Sequence, residues 1–177
     1  MICLFSIQTW AQSGKLFNTD NQLSSNLATQ VFQDKSGFIW IATRNGLNTY
    51  DGYHITIIKK DMSNFLGLNS NYINSIAQDE KEHILLGTNN SLLEFTGSEF
   101  LKIPMLDSKG EELATYVKQV YPLRNKDVAV ATSGYGIMLK KQDEQKCHAM
   151  KGEVEKLKYI HKLLEDKRGR LWIITED

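Results

Sequence analysis

Residues 23–52 and 68–97 align at an offset of 45 positions with 10 identities in 30, against about two for unrelated segments of that length, so the chain is internally duplicated. The best-matched piece sets Gln33-Asp34-Lys35-Ser36-Gly37-Phe38-Ile39-Trp40-Ile41-Ala42-Thr43 over Gln78-Asp79-Glu80-Lys81-Glu82-His83-Ile84-Leu85-Leu86-Gly87-Thr88. A weaker third copy runs through Asp127-Val128-Ala129-Val130-Ala131-Thr132. A fourth starts at Glu165-Asp166-Lys167-Arg168-Gly169-Arg170-Leu171-Trp172-Ile173-Ile174-Thr175, and its Trp172 lies 132 residues after Trp40, three periods of 44.

Within one period, short apolar runs are broken by turn residues at Ser36-Gly37, Asn45-Gly46 and Asp51-Gly52, the punctuation of a strand meander. Strands are predicted over Ala28–Gln33, Phe38–Thr43, Leu47–Tyr50 and His54–Ile58, and later periods follow the same order. Four strands in about 44 residues make a propeller blade, because one twisted sheet cannot hide both faces until neighbours pack on it. The expected fold class is all-β: a β-propeller of four-stranded antiparallel blades at about 23–67, 68–112 and 113–157, with the start of a fourth at 158–177. Three blades and a fragment cannot close, so residues 12–177 read as part of a propeller. Apolar residues at Leu157, Ile160, Leu163 and Leu164 have helical spacing. The repeat phase instead favours a strand before Asp166, with a short helix ahead of it as the alternative.

Composition narrows the function. The 177 residues carry 21 Lys plus Arg and 21 Asp plus Glu, so there is no excess positive charge to hold nucleic acid or an anionic membrane. With 41% hydrophobic residues and two prolines, the chain has the make-up of a folded domain rather than a disordered one. Residues 1–11 are uncharged, and Thr9-Trp10-Ala11 presents small residues where a signal peptidase cuts. They read as the remnant of a signal peptide, with an ordinary first strand as the alternative. Cleavage there leaves Cys147 as a single passive thiol and no disulfide. Any membrane anchor is expected downstream of residue 177, and Leu16–Asn18, with Lys15, is a candidate outer strand for a closing blade.

The stretch Asp34-Lys35-Ser36-Gly37-Phe38-Ile39-Trp40-Ile41-Ala42-Thr43-Arg44-Asn45-Gly46-Leu47-Asn48-Thr49-Tyr50-Asp51-Gly52, preceded by Leu23-Ser24-Ser25-Asn26, closely resembles the two-component regulator propeller repeat. The second copy departs from it at Glu82 and Leu85, and the third lacks most of the motif. The resemblance implies the periplasmic sensor of a hybrid two-component histidine kinase of Bacteroidota, responsive to oligosaccharides. It further implies that the full-length parent is a homodimer and that kinase, receiver and DNA-binding parts lie outside this sequence. The segment itself is expected to be non-catalytic and to need no cofactor.

Framework and site candidates separate on the repeat. Trp40 and Trp172 occupy one point of the second strand, where a large ring fills the wedge between blades. Asp34, Asp79 and Asp166 recur before a tight turn, where a short carboxylate accepts backbone N–H groups. Gly37, Thr43, Gly46, Thr88 and Gly169 complete the framework set. Neither the paired carboxylates of a glycosidase nor a phosphate loop can be recognised, and Gly134-Tyr135-Gly136 reads as a turn. His54, His83, His148 and His161 lack metal-ligand spacing, so no metal is assigned. Loops between the second and third strands vary from copy to copy, and Arg44, Asn45, Asn89, Asn90 and Tyr135 are the candidates for a sugar ligand there. The alternative is that these Asn and Gly residues serve the turns themselves. A protein-interaction scaffold is the alternative function, and a secreted carbohydrate-active enzyme the third.

Overall fold

In a computed structural model, residues 16–60 and 67–176 are described. The first blade is β1 (Ala28–Gln33), β2 (Ile39–Thr43), β3 (Gly46–Tyr50) and β4 (Ile55–Ile58), paired in that order. The second is β5 (Ile73–Gln78), β6 (Ile84–Thr88), β7 (Leu92–Phe95) and β8 (Phe100–Ile103). The third contains β11 (Val117–Pro122), β12 (Val128–Thr132), β13 (Ile137–Lys140) and β14 (Cys147–Ala149), and the fourth shows β15 (Ile160–Glu165) and β16 (Leu171–Thr175). The meander and the blade stacking are thus as the repeat predicts.

Two details depart from the sequence reading, and the stretch before Asp166 is decided. β9 (Met105–Leu106) and β10 (Glu112–Leu113) form a hairpin whose β9 pairs in parallel with β14. Residues 105–112 therefore extend the third sheet, although the repeat phase assigns them to the second blade. Burial of Met105 beside Cys147 in one apolar cluster draws them there. Before β15, residues Glu153–Lys156 form a 3₁₀ turn, while Ile160, Leu163 and Leu164 lie in the strand itself as the repeat phase favours, and Val154 and Leu157 pack on the third blade. Leu16–Asn18 are not in a strand, and Thr19–Asn21 form a 3₁₀ turn. The signal-like residues 1–11 and Lys15 lie outside the described residues.

Each sheet is apolar on both faces because alternate strand residues point to opposite neighbours. Ile84 and Leu86 of β6 join Trp40, Ala42 and Leu47 of the first blade in one cluster, while Leu85 joins Val117, Val120 and Val130 of the third. Close approach is enforced at Gly87: a Cβ there would lie 2.5 Å from Val117 Cγ1. Ala129, Ala131 and Ile137 then pack on Ile160 and Leu163 of the fourth blade.

The first strands of the four blades face one another across a channel, where none can pair with the next. Side chains supply the missing bonds. Gln30 Nε2 donates to the Ile76 carbonyl (2.8 Å) and its Oε1 accepts the Ile76 N–H (2.9 Å). Gln119 grips Leu163 in the same way at 3.2 and 2.7 Å, and Ser75 Oγ accepts the Val120 N–H at 3.0 Å. Gln119→Ala leaves the Leu163 amide and carbonyl without these partners and is expected to cost about 1–3 kcal/mol, read as the midpoint shift in urea. Gln33→Ala, whose amide reaches only the exposed Gly37 carbonyl, should stay within about 0.5 kcal/mol.

Candidate functional site

The turn joining the first two strands of each blade has one geometry in all four. Asp34, Asp79, Leu123 and Asp166 each donate their N–H to the carbonyl of the residue four ahead, at 2.8–3.0 Å. Gly37, Glu82, Lys126 and Gly169 follow with φ of 93°, 67°, 74° and 76°. The second and third blades thus hold a side chain in a backbone region that favours glycine. Asp34 Oδ1 accepts the Phe38 N–H and Oδ2 accepts Trp40 Nε1 at 2.7 Å. Asp166 repeats this with the Arg170 N–H and Trp172 Nε1 at 3.0 Å. The Trp172 indole, backbone N–H groups and the Arg170 side chain hold the Asp166 carboxyl down at about 2. The two tryptophans share a partner but not an environment: Trp40 is 6% exposed against Phe95, whereas Trp172 is 56% exposed.

Thr43, Thr88 and Thr132 each donate Oγ1 to a carbonyl across the second turn, Gly46, Ser91 and Gly136 respectively. Gly46, at φ 134°, lies so close to Ser24 that a Cβ would sit 2.9 Å from its Cβ. These side chains hold the loops at one end of the channel.

The ligand candidates at that end divide. Arg44 is exposed, with its guanidinium 5.6 Å from the Tyr72 ring centroid. Asn89 accepts from Ser70 Oγ and so ties its loop to the segment before β5, and Asn90 accepts from Ser91 Oγ within its own loop. Asn45 is exposed with its N–H on Thr43 Oγ1. Tyr135 stands 48% exposed at a loop tip, apart from the Arg44 and Tyr72 pair in the contacts described.

The richer feature is one that the loop comparison misses. All four inner strands carry a bulge at the same point, leaving Thr29, Asn74, Lys118 and His161 unpaired with the second strand. A bulge re-aims its side chain, and Thr29, Lys118 and His161 line a channel cleft of about 430 Å³ with Gln30, Ser75 and Gln119. Two residues before each bulge stand Leu27, Tyr72, Tyr116 and Tyr159, whose carbonyls accept N–H groups from Arg44, Asn89, Ser133 and Glu176. Tyr72 and Tyr116 meet edge to face at 6.0 Å, and Lys118 Nζ lies 5.1 Å from the Tyr116 centroid. Tyr116 Oη donates to Asn74 Oδ1 at 2.7 Å, and Asn74 Nδ2 donates to the Val117 carbonyl. His161 Nε2 pairs with Glu176. The tyrosine spacing of 44 and 43 residues is itself a sequence signal, which alignment of the strands alone passes over.

At the opposite end, Asp79, His83 and Glu94 converge, their ligand atoms within 4.8 Å of one another. Spacing along the chain does not mark His83 as a ligand, because Glu94 arrives from the next strand, β7. Cys147 is fully buried on β14, and burial pushes its thiol up to about 12.

The structure is a stack of propeller blades around a channel with an aromatic and cationic mouth. The two component regulator propeller family matches at residues 22–45, 67–90 and 156–177, which fall on the first two strands of the first, second and fourth blades. Three of the four blades thus carry a match to that repeat; the third blade, where Leu123 and Ala129 replace the Asp and Trp, is the unmatched one. Similar solved structures include the extracellular domain of a B. thetaiotaomicron one component system (16% identity, TM-score 0.69, covering 85% of this chain and 22% of that one). Another is the extracellular domain of a B. thetaiotaomicron hybrid two component system (19%, TM-score 0.62, 82% and 20%). A third is a catalytically inactive virginiamycin B lyase from Staphylococcus aureus (9%, TM-score 0.65, 88% and 50%). At these identities the likeness is one of fold, and the chain spans about a fifth of the length of the first two. No curated protein matches the chain significantly.

Burial, reinforced by the neighbouring Tyr72 phenol and opposed by Arg44, pushes the Tyr116 phenol up to about 12. It therefore remains a neutral hydrogen-bond donor to Asn74 across the physiological range. Absorbance titration at 295 nm should show one tyrosine ionising near pH 12, and Tyr116→Phe should remove that step.

Proposed function

We propose that this segment is an extracytoplasmic ligand-sensing propeller of a two-component signalling protein and that it takes an oligosaccharide at the channel mouth. One observation carries the ligand class: Tyr72 and Tyr116 meet edge to face, with Arg44 and Lys118 over their rings. Flat aromatic faces stack on the apolar faces of sugars, and guanidinium and ammonium groups bond hydroxyls or carboxylates. The match to the two component regulator propeller repeat in three blades and the extracellular description of the two B. thetaiotaomicron neighbours support the sensing role and a periplasmic setting. Among the described residues no helix is long and apolar enough to cross a membrane.

Signal output follows by linkage: a ligand bound more tightly in one arrangement of a dimeric parent shifts that arrangement, and a histidine kinase downstream reads the shift. The segment itself acts by binding. Asp34 and Asp166 spend their carboxylate oxygens on backbone and indole N–H groups of their own blade, which leaves them unsuited to general acid catalysis.

Calorimetric titration with neutral and uronate-containing oligosaccharides tests the reading. Binding should weaken tenfold or more, about 1.4 kcal/mol, in Tyr116→Ala and in Arg44→Ala, with unchanged circular dichroism. A protein that gives no heat with any sugar, yet captures a stoichiometric protein partner, is a scaffold instead.

A further inference from the structure

We propose that the second blade holds one divalent metal ion of the zinc type, with Asp79, His83 and Glu94 as its ligands. Asp79 opens the turn after β5, His83 closes it, and Glu94 lies on β7. His83 Nδ1 is 3.1 Å from Glu94 Oε1 and 3.8 Å from Asp79 Oδ2. The three ligand atoms all lie within 4.8 Å of one another. Donors bound at 2.0–2.2 Å to one zinc ion sit about 3.3–3.6 Å apart, so small side-chain rotations complete the set.

The electrostatics call for a cation. Both carboxylate side chains are 6% exposed, and among the described residues their one ion-pair partner is His83. Asp79 Oδ1 accepts the His83 N–H, and no group among the described residues donates a hydrogen bond to Asp79 Oδ2 or Glu94 Oε2. Two buried carboxylates against at most one positive imidazole leave a net charge whose desolvation is costly. A divalent ion neutralises both and takes the imidazole in its neutral form.

Comparison of the blades shows what the ion would replace. In the first and fourth blades the second oxygen of the turn aspartate accepts an indole N–H, from Trp40 and Trp172. The second blade has Leu85 at that point, and the position of Glu94 is held by Thr49 in the first blade and Leu139 in the third. Losing the indole and gaining His83 and Glu94 occur together in one blade, so the triad is not repeat framework. One imidazole with two carboxylates suits zinc better than calcium, which takes six to eight oxygens. His83 also lines a cleft of about 610 Å³ shared with Trp40 and Phe95, leaving room for a water as the fourth ligand.

Calorimetric titration of the tag-free, metal-stripped protein with Zn²⁺ should give one site per chain and a raised melting temperature. His83→Ala and Glu94→Gln should each weaken the site at least a hundredfold, while His148→Ala, at an exposed imidazole beside Glu144, should leave it intact. Should either variant fail to fold, Co²⁺ bound to the wild-type protein decides: an intense visible spectrum of four- or five-coordinate N/O ligation without a thiolate band supports the site. A weak spectrum like that of the aqua ion, an unaltered affinity in folded His83→Ala, or no zinc binding to the wild-type protein overturns it.

Discussion

A propeller sheet has no wet face, and the whole structure follows from that. Strand residues alternate between two neighbours, so every second-strand position must fit the blade on its own side. The fits are complementary in volume: Leu85 and Gly87 of the second blade receive Val117 and Val120, and the small Ala129 and Ala131 of the third are covered by Ile160 and Leu163 with the 3₁₀ turn beyond. Dense packing of this kind tolerates no gap and no excess. Where no blade lies against a face, the equivalent residues stand exposed: Val31 on the first blade, and Leu164, Trp172 and Ile174 on the fourth.

The inner strands pose the second problem, since their outer edges offer N–H and C=O groups with no strand to receive them. Gln30 and Gln119 answer it with a primary amide, which presents a donor and an acceptor as a peptide does. Ser75 makes a single bond at the equivalent place. These clamps fix the blades around the channel and thereby fix the bulges, which set Thr29, Lys118 and His161 toward its mouth. Recognition chemistry is thus carried by side chains whose backbone is held on both sides.

The two ends of the channel differ in kind. One gathers tyrosines and Lys118 at the starts of inner strands, with Arg44 from the loop after β2, where side chains vary from blade to blade over a constant backbone. The other gathers the aspartate turns, where the same carboxylate is satisfied by indole in two blades and faces imidazole and a second carboxylate in another. The Asp–Trp bond is a framework device, and its loss in the second blade frees Asp79 for a different partner.

The 44-residue period determined the architecture before any coordinates: strand order, the turn aspartates, and the positions of Trp40 and Thr43 are local matters of alternation and turn chemistry, readable along the chain. Arg44 was legible as a loop cation. Tertiary structure decided what lay across sheets and between blades. Tyr72 and Tyr116 become neighbours only when the inner strands converge, and Glu94 meets His83 because β7 runs beside β6. Met105 joins a blade other than its own repeat's by pairing with a strand 42 residues further on. Trp40 and Trp172 are alike in sequence and in their aspartate bond yet differ in burial, because burial is set by the neighbouring sheet and the hydrogen bond by the blade's own turn.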